Sequence, residues 1–386
     1  MLHYLRNDLI GAIQNIVNDP TYTQEKLSER LANAGLLPMF GFPTRVRLLY
    51  TRWPSPGPQW PPETGVVDRN LDVAISQFAP GSQTVKDKAV HTACGVVELR
   101  PQGNTITSHP GLFPALANSN RSLGLCSNCQ AVVYPYQPNQ PIVGSQPDNV
   151  ECPVCHAIEL RCIDAREPRA FFTNLQPEDF DGQFEWQPRS TRPSLSINAN
   201  VAQTASILNA AVYSFNDNII SVNDNGGQGG FDFQQATVFN RSQTGAYAVQ
   251  AHTVPPRGRD QRVNTINRTY RVALLSRRTT DILLVNLNQW SDGVLADPRT
   301  VVGRAAWYSF AFWLRIAASA HLDVDAQELQ AGFRSLEQNG AIIGQAFLSD
   351  QLENGAGYCR FLAQPNQFQQ LIAQADPMIS NSIASQ

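Results

Sequence analysis

Apolar residues at helical spacing open the chain. Between residues 4 and 19 they recur every three or four positions, and the pair Asp19-Pro20 ends the pattern. These residues are Leu5, Leu9, Ile13, Ile16 and Val17. A second helix is predicted from about residue 23 to residue 34, where Gly35 is a suitable C-terminal stop. We therefore assign residues 1–53 to a helical lead-in.

Strand-like patterns fill the middle of the chain. From Leu71 to Arg100, the run VKDKAV is predicted to form a charged hairpin turn between the strands AISQFAPGSQT and HTACGVVELR. A second β-rich stretch runs from about residue 170 to residue 288 and contains the buried-strand candidate DILLVNL. Its run NDNGGQGGF carries glycines that permit positive φ angles. The predicted β-rich segments are 54–120 and 166–300, with an insert at 121–165.

The pattern changes again after residue 300. A helix is predicted through Ala320, a second within DAQELQAGFRSLEQ and a third within NQFQQLIAQA, so residues 301–386 form a helical C-terminal part. The predicted fold class is therefore α+β. It comprises a helical lead-in, a mixed β-rich centre with an inserted segment, and a helical C-terminal part.

The insert at 121–165 carries the most explicit chemistry, two Cys-x-x-Cys pairs separated by 22 residues. Two such turns complete a tetrahedral shell of four thiolates, which is typical of a zinc ribbon and leaves no open position for a catalytic water. The predicted ligands of a structural Zn²⁺ are Cys126, Cys129, Cys152 and Cys155. His156 is a substitute ligand in principle, although a surface position is favoured. Redox-active cysteine turns are disfavoured, because a thioredoxin-like motif needs one pair in a βαβ setting.

The basic residues exclude one class of enzyme. The chain has 29 basic and 32 acidic residues, a net charge of -3, and its only lysines are Lys26, Lys86 and Lys88. A Walker A loop requires a lysine directly after a glycine, and none of the three follows one. The sequence therefore predicts that this chain is not an enzyme and does not hydrolyse ATP by itself.

Targeting and membrane signals are not found in the sequence. The N-terminus lacks the continuous apolar core of a signal peptide, and the most apolar run, 305–320, is short and interrupted by Arg315. We therefore predict a cytoplasmic protein without membrane contact. In that reducing compartment, the seven cysteines are not expected to form a disulfide framework.

Arginines concentrate in one run of the sequence. Residues 257–278 hold seven arginines and one acid, Asp260. Guanidinium groups suit phosphate oxygens, so a local patch could bind DNA despite the acidic whole. The candidate DNA contacts are Arg45, Arg47, Arg257, Arg259, Arg277 and Arg278. The alternative is a solvated strand face whose arginines form salt bridges.

Five stretches, taken in order, resemble one family. They are GLLPMFGFPTRVRLLY, AISQFAPGSQTVKDKAVHTACGV, REPRAFFT, RRTTDILLV and FLSDQLENGAGYCRFL. Together they are similar to the region after the motor domains in bacterial superfamily 2 DEAD/DEAH-type helicases with an MrfA-like zinc-binding domain. The resemblance runs from about Leu31 to Leu362. It implies a region that contacts nucleic acid and organises two ATP-hydrolysing motor lobes, in proteins of DNA repair and antiviral defence.

The chain departs from that family in two respects. The motor motifs are missing, and no cysteine follows Cys359, where family members usually continue into a further cysteine-rich segment. We therefore expect an internal piece of a longer protein, a truncated reading frame or one half of a split system.

Two functions remain open from the sequence. The leading hypothesis is a non-catalytic zinc-binding accessory region of a DNA helicase, which contacts DNA and docks against motor lobes of the same or a separate polypeptide. The alternative is a protein-interaction scaffold of a defence or repair complex that does not touch DNA. A hydrolase using Asp350 and Glu353 ranks third, because no positioned nucleophile or metal accompanies these acids.

Overall fold

A computed structural model shows an α+β architecture. It describes residues 8–19, 27–34, 36–37, 45–55, 57, 60–116, 121–136, 149–175, 177–180, 182, 191–199, 201, 205–207, 209–238, 246–249, 263–290 and 292–384. Within these residues, the strands form a large mixed sheet, a four-stranded sheet and a separate two-stranded hairpin. The predicted fold class is confirmed.

The elements are numbered in chain order within the described residues. The helices are α1 Leu9–Asn18, α2 Leu27–Asn33, α3 Leu71–Gln77, α4 Val301–Leu322, α5 Tyr358–Leu362 and α6 Pro365–Ala384. The strands are β1 Val46–Tyr50, β2 Val66–Asn70, β3 Gln83–Lys86, β4 Ala89–Val96, β5 Glu98–Gln102, β6 Thr105–His109, β7 Leu112–Phe113, β8 Leu123–Cys126, β9 Val132–Val133, β10 Asn149–Val150, β11 Leu160–Ile163, β12 Ala165–Pro168, β13 Phe171–Thr173, β14 Glu178–Asp179, β15 Pro193–Leu195, β16 Ala205–Ile207, β17 Ala210–Asn223, β18 Phe231–Val238, β19 Tyr247–Ala248, β20 Val263–Leu287, β21 Leu329–Gln338 and β22 Ala341–Asp350.

Strand β20 is a central strand of the large sheet. Its residues 274–287 pair antiparallel with the whole of β17, and its residues 263–272 pair with β18. It also pairs in parallel with β12 and antiparallel with β22. The run Ile282–Val285 is buried without alternation, because side chains cover both faces of the sheet there. The predicted buried strand DILLVNL is therefore confirmed as part of β20.

Helix α4 covers the hairpin of β21 and β22. Its buried face repeats every three or four residues and consists of Gly303, Trp307, Ala311, Leu314, Ala317 and Ala318. The side chain of Thr300 begins the helix by accepting the N–H of Gly303 at 2.9 Å. Helices α5 and α6 add Leu362, Phe368 and Leu371 to the same core. None of the described helices combines the length and the hydropathy needed to span a membrane.

A second core lies under α3, on the side of the sheet that carries β1, β4, β13 and β18. Phe78 of the α3 end contacts Phe171 edge-on, with 5.7 Å between ring centroids. Leu71, Ala74 and Ile75 pack with them. This core joins strands from the predicted segments 54–120 and 166–300 in one sheet.

Two predicted elements are wrong. DAQELQAGFRSLEQ forms a 3₁₀ turn and strand β21 where a helix is expected, because Leu329, Ala331 and Phe333 alternate into the core under α4. AISQ lies in helix α3 where a strand is expected, because Leu71 and Ile75 are buried one helical turn apart. Tertiary packing overrides local propensity in both segments.

Other predicted elements are confirmed. The lead-in contains α1 and α2. The charged turn of VKDKAV connects β3 to β4, and its residues Asp87 and Lys88 have positive φ angles of 52° and 62°, as a two-residue hairpin requires.

Glycine at position 344 is required by α4. A Cβ there would lie 2.3 Å from the indole of Trp307, so Gly344→Ala forces the helix away from β22. We expect a loss of about 1–3 kcal/mol, measured as a lower urea midpoint. Gly11→Ala is the control, because nothing lies within 4 Å of a Cβ at that position of α1. A wild-type midpoint for Gly344→Ala would contradict this packing.

Candidate functional site

Two backbone turns of the same form present the four predicted ligands. Cys126 ends β8, and its carbonyl accepts the N–H of Gln130 at 3.1 Å. The carbonyl of Cys152 likewise accepts the N–H of His156 at 2.9 Å. Gln130 and His156 each follow the second cysteine of a pair and have positive φ angles of 63° and 57°. The sequence predicts both turns, because Cys-x-x-Cys spacing places two thiols on one side of a tight loop.

The four sulfur atoms lie together. The Sγ atoms of Cys126 and Cys155 are 3.6 Å apart, and those of Cys129 and Cys152 are 3.8 Å apart. All four lie within 4.8 Å of one another. Tetrahedral zinc with Zn–S bonds of about 2.3 Å separates its sulfur ligands by about 3.8 Å. The residues therefore fit a Zn²⁺ ion held by four thiolates, with no position left for substrate or water.

Hydrogen bonds around the sulfur atoms favour negative charge. The N–H groups of Cys129 and Val154 point at the Sγ atoms of Cys126 and Cys152, at 3.5 Å and 3.4 Å. Hydrogen bonds from the thiols of Cys126 and Cys129 lower the pKa of Cys152 to about 2. Hydrogen bonds with Cys126 and Cys152, together with burial, raise the pKa of Cys129. A bound Zn²⁺ would stabilise the four groups as thiolates.

His156 lies outside the sulfur cluster. Its side chain is exposed, with Nδ1 3.1 Å from Glu151 Oε1 and Nε2 3.3 Å from Glu337 Oε2. Hydrogen bonds to Glu151 and Glu337 raise its pKa. Nε2 therefore links the insert to β21, Nδ1 bonds within the insert, and both ring nitrogens are engaged with carboxylates rather than with the metal site.

Hydrogen bonds connect the insert to the rest of the chain beside the four cysteines. Ser335 of β21 donates its hydroxyl to the carbonyl of Cys129. Arg304 of α4 donates to the carbonyl of Asn128 at 3.1 Å. Strands β8 to β11 form their own sheet, in the order β10-β11-β8-β9. A metal at the four cysteines would thus fix the insert against α4 and β21.

Most of the predicted DNA contacts lie in a buried ionic cluster. This arginine–acid cluster consists of Arg45, Arg47, Asp72, Glu167, Arg277, Arg278 and Glu353. Arg278 contacts Asp72 at 2.5 Å and donates to Gln330 Oε1 at 2.8 Å. Arg45 lies 3.8 Å from Glu353 and donates to Ser276 Oγ at 3.3 Å.

Burial separates these arginines from solvent. The side chain of Arg278 is 4% exposed, and burial lowers its pKa. Arg47 is buried as well, donates to the carbonyl of Pro168 at 2.8 Å, and burial lowers its pKa to about 10. Arg277 is 36% exposed and lies 3.7 Å from Glu167. The predicted contacts Arg257 and Arg259 lie outside the described residues. Arg47 and Arg278 therefore have a structural role in the buried cluster. Of the four described candidates, Arg277 is the one accessible to solvent.

The sequence interpretation missed the acids that hold these arginines. Asp72, Glu167 and Glu353 come from three distant parts of the chain. A signal was present, because four of the five family-like stretches each carry a member of this cluster. The first holds Arg45, the third Glu167, the fourth Arg278 and the fifth Glu353.

Asp350 and Glu353 do not form an acid pair of a hydrolase. Asp350 is fully buried and accepts the N–H groups of Ala356, Tyr358 and Cys359 at 2.7, 3.1 and 2.9 Å. Glu353 is engaged with Arg45. Asp350 therefore fixes the Gly-Ala-Gly turn and the start of α5.

Removing the Asp350 carboxylate should destabilise the turn. Asp350→Ala leaves three N–H groups without their acceptor, and we expect a loss of about 2–3 kcal/mol in urea unfolding. Asp350→Asn retains one acceptor oxygen and should lose less. An equal loss in both variants would show that the loss of stability does not come from the hydrogen bonds to the carboxylate.

Of the other cysteines, Cys94 and Cys359 are fully buried, and burial raises the pKa of each thiol. Cys162 is buried in the ribbon core, and burial raises its pKa. These three behave as small, partly apolar core residues.

The fold and the site together define an α+β protein with a four-cysteine ribbon. The chain is 25% identical over 377 residues to "Druantia protein DruE" of Escherichia coli (strain UMEA 4076-1). The aligned region covers 89% of this chain and 19% of that protein. The chain thus spans about a fifth of the length of the curated relative it matches. No protein-family model matches the chain.

Among solved structures, the chain is similar to the "Crystal Structure of DUF1998 helicase MrfA bound to DNA". The match covers 53% of this chain and 22% of that chain, at 8% identity and a TM-score of 0.28. A TM-score at this level supports no argument about a shared fold.

Proposed function

We propose that the chain is a non-catalytic accessory region of a DNA helicase, which is stapled by a structural zinc, contacts DNA and docks against ATP-hydrolysing motor lobes. The observation that carries this proposal is the convergence of the helicase-like stretches. Four of the five stretches, spread from Arg45 to Glu353, contribute members of one arginine–acid cluster. The resemblance therefore involves residues that touch one another in the folded chain.

The metal centre supports a structural role. Four thiols close the coordination shell, and the insert is fastened to α4 and β21 at the same end. When bound, Zn²⁺ would supply folding free energy and no catalytic water. The chain's own residues position the thiolates and join the ribbon to the large sheet.

Exposed apolar surface supports docking against another body. Helix α1 has no buried residue within the described chain and exposes Ile10 and Val17. Helix α4 exposes Val301, Phe312 and Ile316 on the side away from β21. Apolar patches of this kind are typical of protein interfaces. Motor lobes are the proposed partners, in agreement with a relative about five times as long.

The same surface favours the second candidate, a scaffold that binds proteins and not DNA. Binding of labelled single-stranded and double-stranded DNA at about 50 mM and about 200 mM salt separates the two. The helicase proposal predicts binding at the lower salt that weakens steeply at the higher. No binding at the lower salt would favour the scaffold.

A further inference from the structure

A polar cleft lies beside the glycine turn that connects β17 to β18. We propose that this cleft binds the phosphate backbone of one DNA strand. The inference rests on the proposed DNA contact and assigns it to residues other than those predicted from the sequence. The glycine-turn cleft is defined by Arg121, Arg161, Gly227, Gly229, Arg268 and Arg271.

The cleft continues on both sides of the turn. Its volume at the arginines is about 340 Å³. A neighbouring cleft of about 730 Å³ runs between the turn and the cysteine ribbon, and Arg161 and Gly227 line both. Two adjoining clefts form a path for an extended chain. An extended single strand can follow such a path, with its phosphates on the arginines and its bases open to stacking.

The glycine turn forms one wall of the cleft. Residues 225, 226, 227, 229 and 230 all have positive φ angles. Glycine is required at position 230, where a Cβ would lie 2.3 Å from the backbone of Val272. Asp224 fixes the turn by accepting the N–H of Gly227 at 3.1 Å and, through its carbonyl, the N–H of Gly230 at 2.9 Å. The N–H groups of Asn225, Gly227 and Gly230 are therefore bonded within the protein, and the groups of the cleft that suit a phosphate are its guanidinium groups.

The charge of the cleft is positive in an acidic chain. Among the described residues, Arg161 pairs with Asp224 and Arg271 pairs with Asp232. Asp164 also lines the cleft, but Arg166 engages it at 2.7 Å. Four arginines and one acidic residue, Asp164, therefore line the cleft, whereas the whole chain carries a net charge of -3.

Arg268 is the arginine best placed for a ligand. It is exposed and forms no ion pair with an acid among the described residues. Its guanidinium lies 5.0 Å from the ring centroid of Tyr270, which holds the planar group in one orientation. A phosphate can bind its N–H groups, and a base can stack on its free face.

The test is fluorescence anisotropy of a 5′-labelled 20-nucleotide oligothymidylate with the full zinc-loaded chain. The test variant is Arg121→Ala with Arg268→Ala. The control is Arg69→Ala with Arg100→Ala, which removes the same charge from two exposed arginines on β2 and β5. We expect the cleft variant to raise Kd about tenfold at 50 mM salt and to flatten the log–log salt slope by about 1.4, since each lost single-strand phosphate contact removes about 0.7. The control should bind like the wild type.

The outcomes separate the cleft from the proposed function. If the cleft variant binds as tightly as the wild type, or if both variants bind equally weakly, the assignment of DNA binding to the cleft is wrong. The proposed DNA contact is not contradicted by either result. A wild-type chain that does not bind the oligonucleotide overturns both. Tighter binding of a duplex, with the same dependence on Arg121 and Arg268, overturns the single-strand assignment. Thermal unfolding of each variant at the wild-type temperature shows that the fold is retained.

Discussion

Cys126→Ser should lose the metal and much of the chain's stability. Removing one thiolate opens a shell in which the four sulfur atoms lie within 4.8 Å of one another. Metal binding contributes about 10–16 kcal/mol in isolated zinc peptides, and here it also holds the insert against α4 and β21. We expect about one zinc per wild-type chain, none in the variant, and a strongly lowered unfolding temperature.

The matched control for the metal is Cys94→Ala. Cys94 is buried in a different core, so its loss leaves a small cavity and an intact ribbon. This variant should keep one zinc per chain. Elemental analysis checks both proteins, and a fully folded wild-type chain without zinc would contradict a structural metal.

Arg278→Ala should be the most damaging substitution outside the ribbon. It leaves the carboxylate of Asp72 poorly compensated at a site where the arginine was 4% and the acid 16% exposed. Breaking a buried pair in this way costs about 3–5 kcal/mol. Urea unfolding measures the loss, and Arg278→Ala combined with Asp72→Asn should recover part of it, because the unpaired charge is then removed.

Arg271→Ala is the control for that substitution. It removes an arginine–aspartate pair with Asp232, at 2.8 Å, whose side chains are 62% and 47% exposed. A surface pair contributes at most about 1 kcal/mol. Equal losses for Arg271→Ala and Arg278→Ala would show that the cluster is not a buried ionic core.

Acid should weaken the same cluster. Burial alone would raise the pKa of Asp72, but the charges of Arg278 and Arg45 outweigh it and lower that pKa below 3.8. A lowered folded-state pKa stabilises the protein above the unfolded value, and this stability is lost as the pH falls through the folded value. Glu353 has the opposite sign, because burial raises its pKa. Urea midpoints below about pH 4 should therefore fall more steeply in the wild type than in Asp72→Asn.

The sequence predicts those features that depend on local spacing. The two cysteine turns need only their Cys-x-x-Cys pairs, and DILLVNL needs only its apolar run. Strand β21 could not be predicted in this way, because LQAGFRSLEQ has helix-forming residues and is a strand only under α4.

The arginines show the same limit at the site. Their density in the sequence indicates positive charge, but not which side chains are neutralised. Arg278 finds Asp72 more than 200 positions away, whereas Arg268 stays exposed beside the glycine turn. Only the folded chain distinguishes an arginine that holds the core from one that can meet a phosphate.

The proposed function is tested most directly by ATP hydrolysis of the purified, zinc-loaded chain with and without single-stranded DNA. A non-catalytic accessory region without a nucleotide-binding lysine should show no hydrolysis above the buffer blank in either condition, while the same sample binds the DNA. Robust hydrolysis that DNA stimulates would contradict the account.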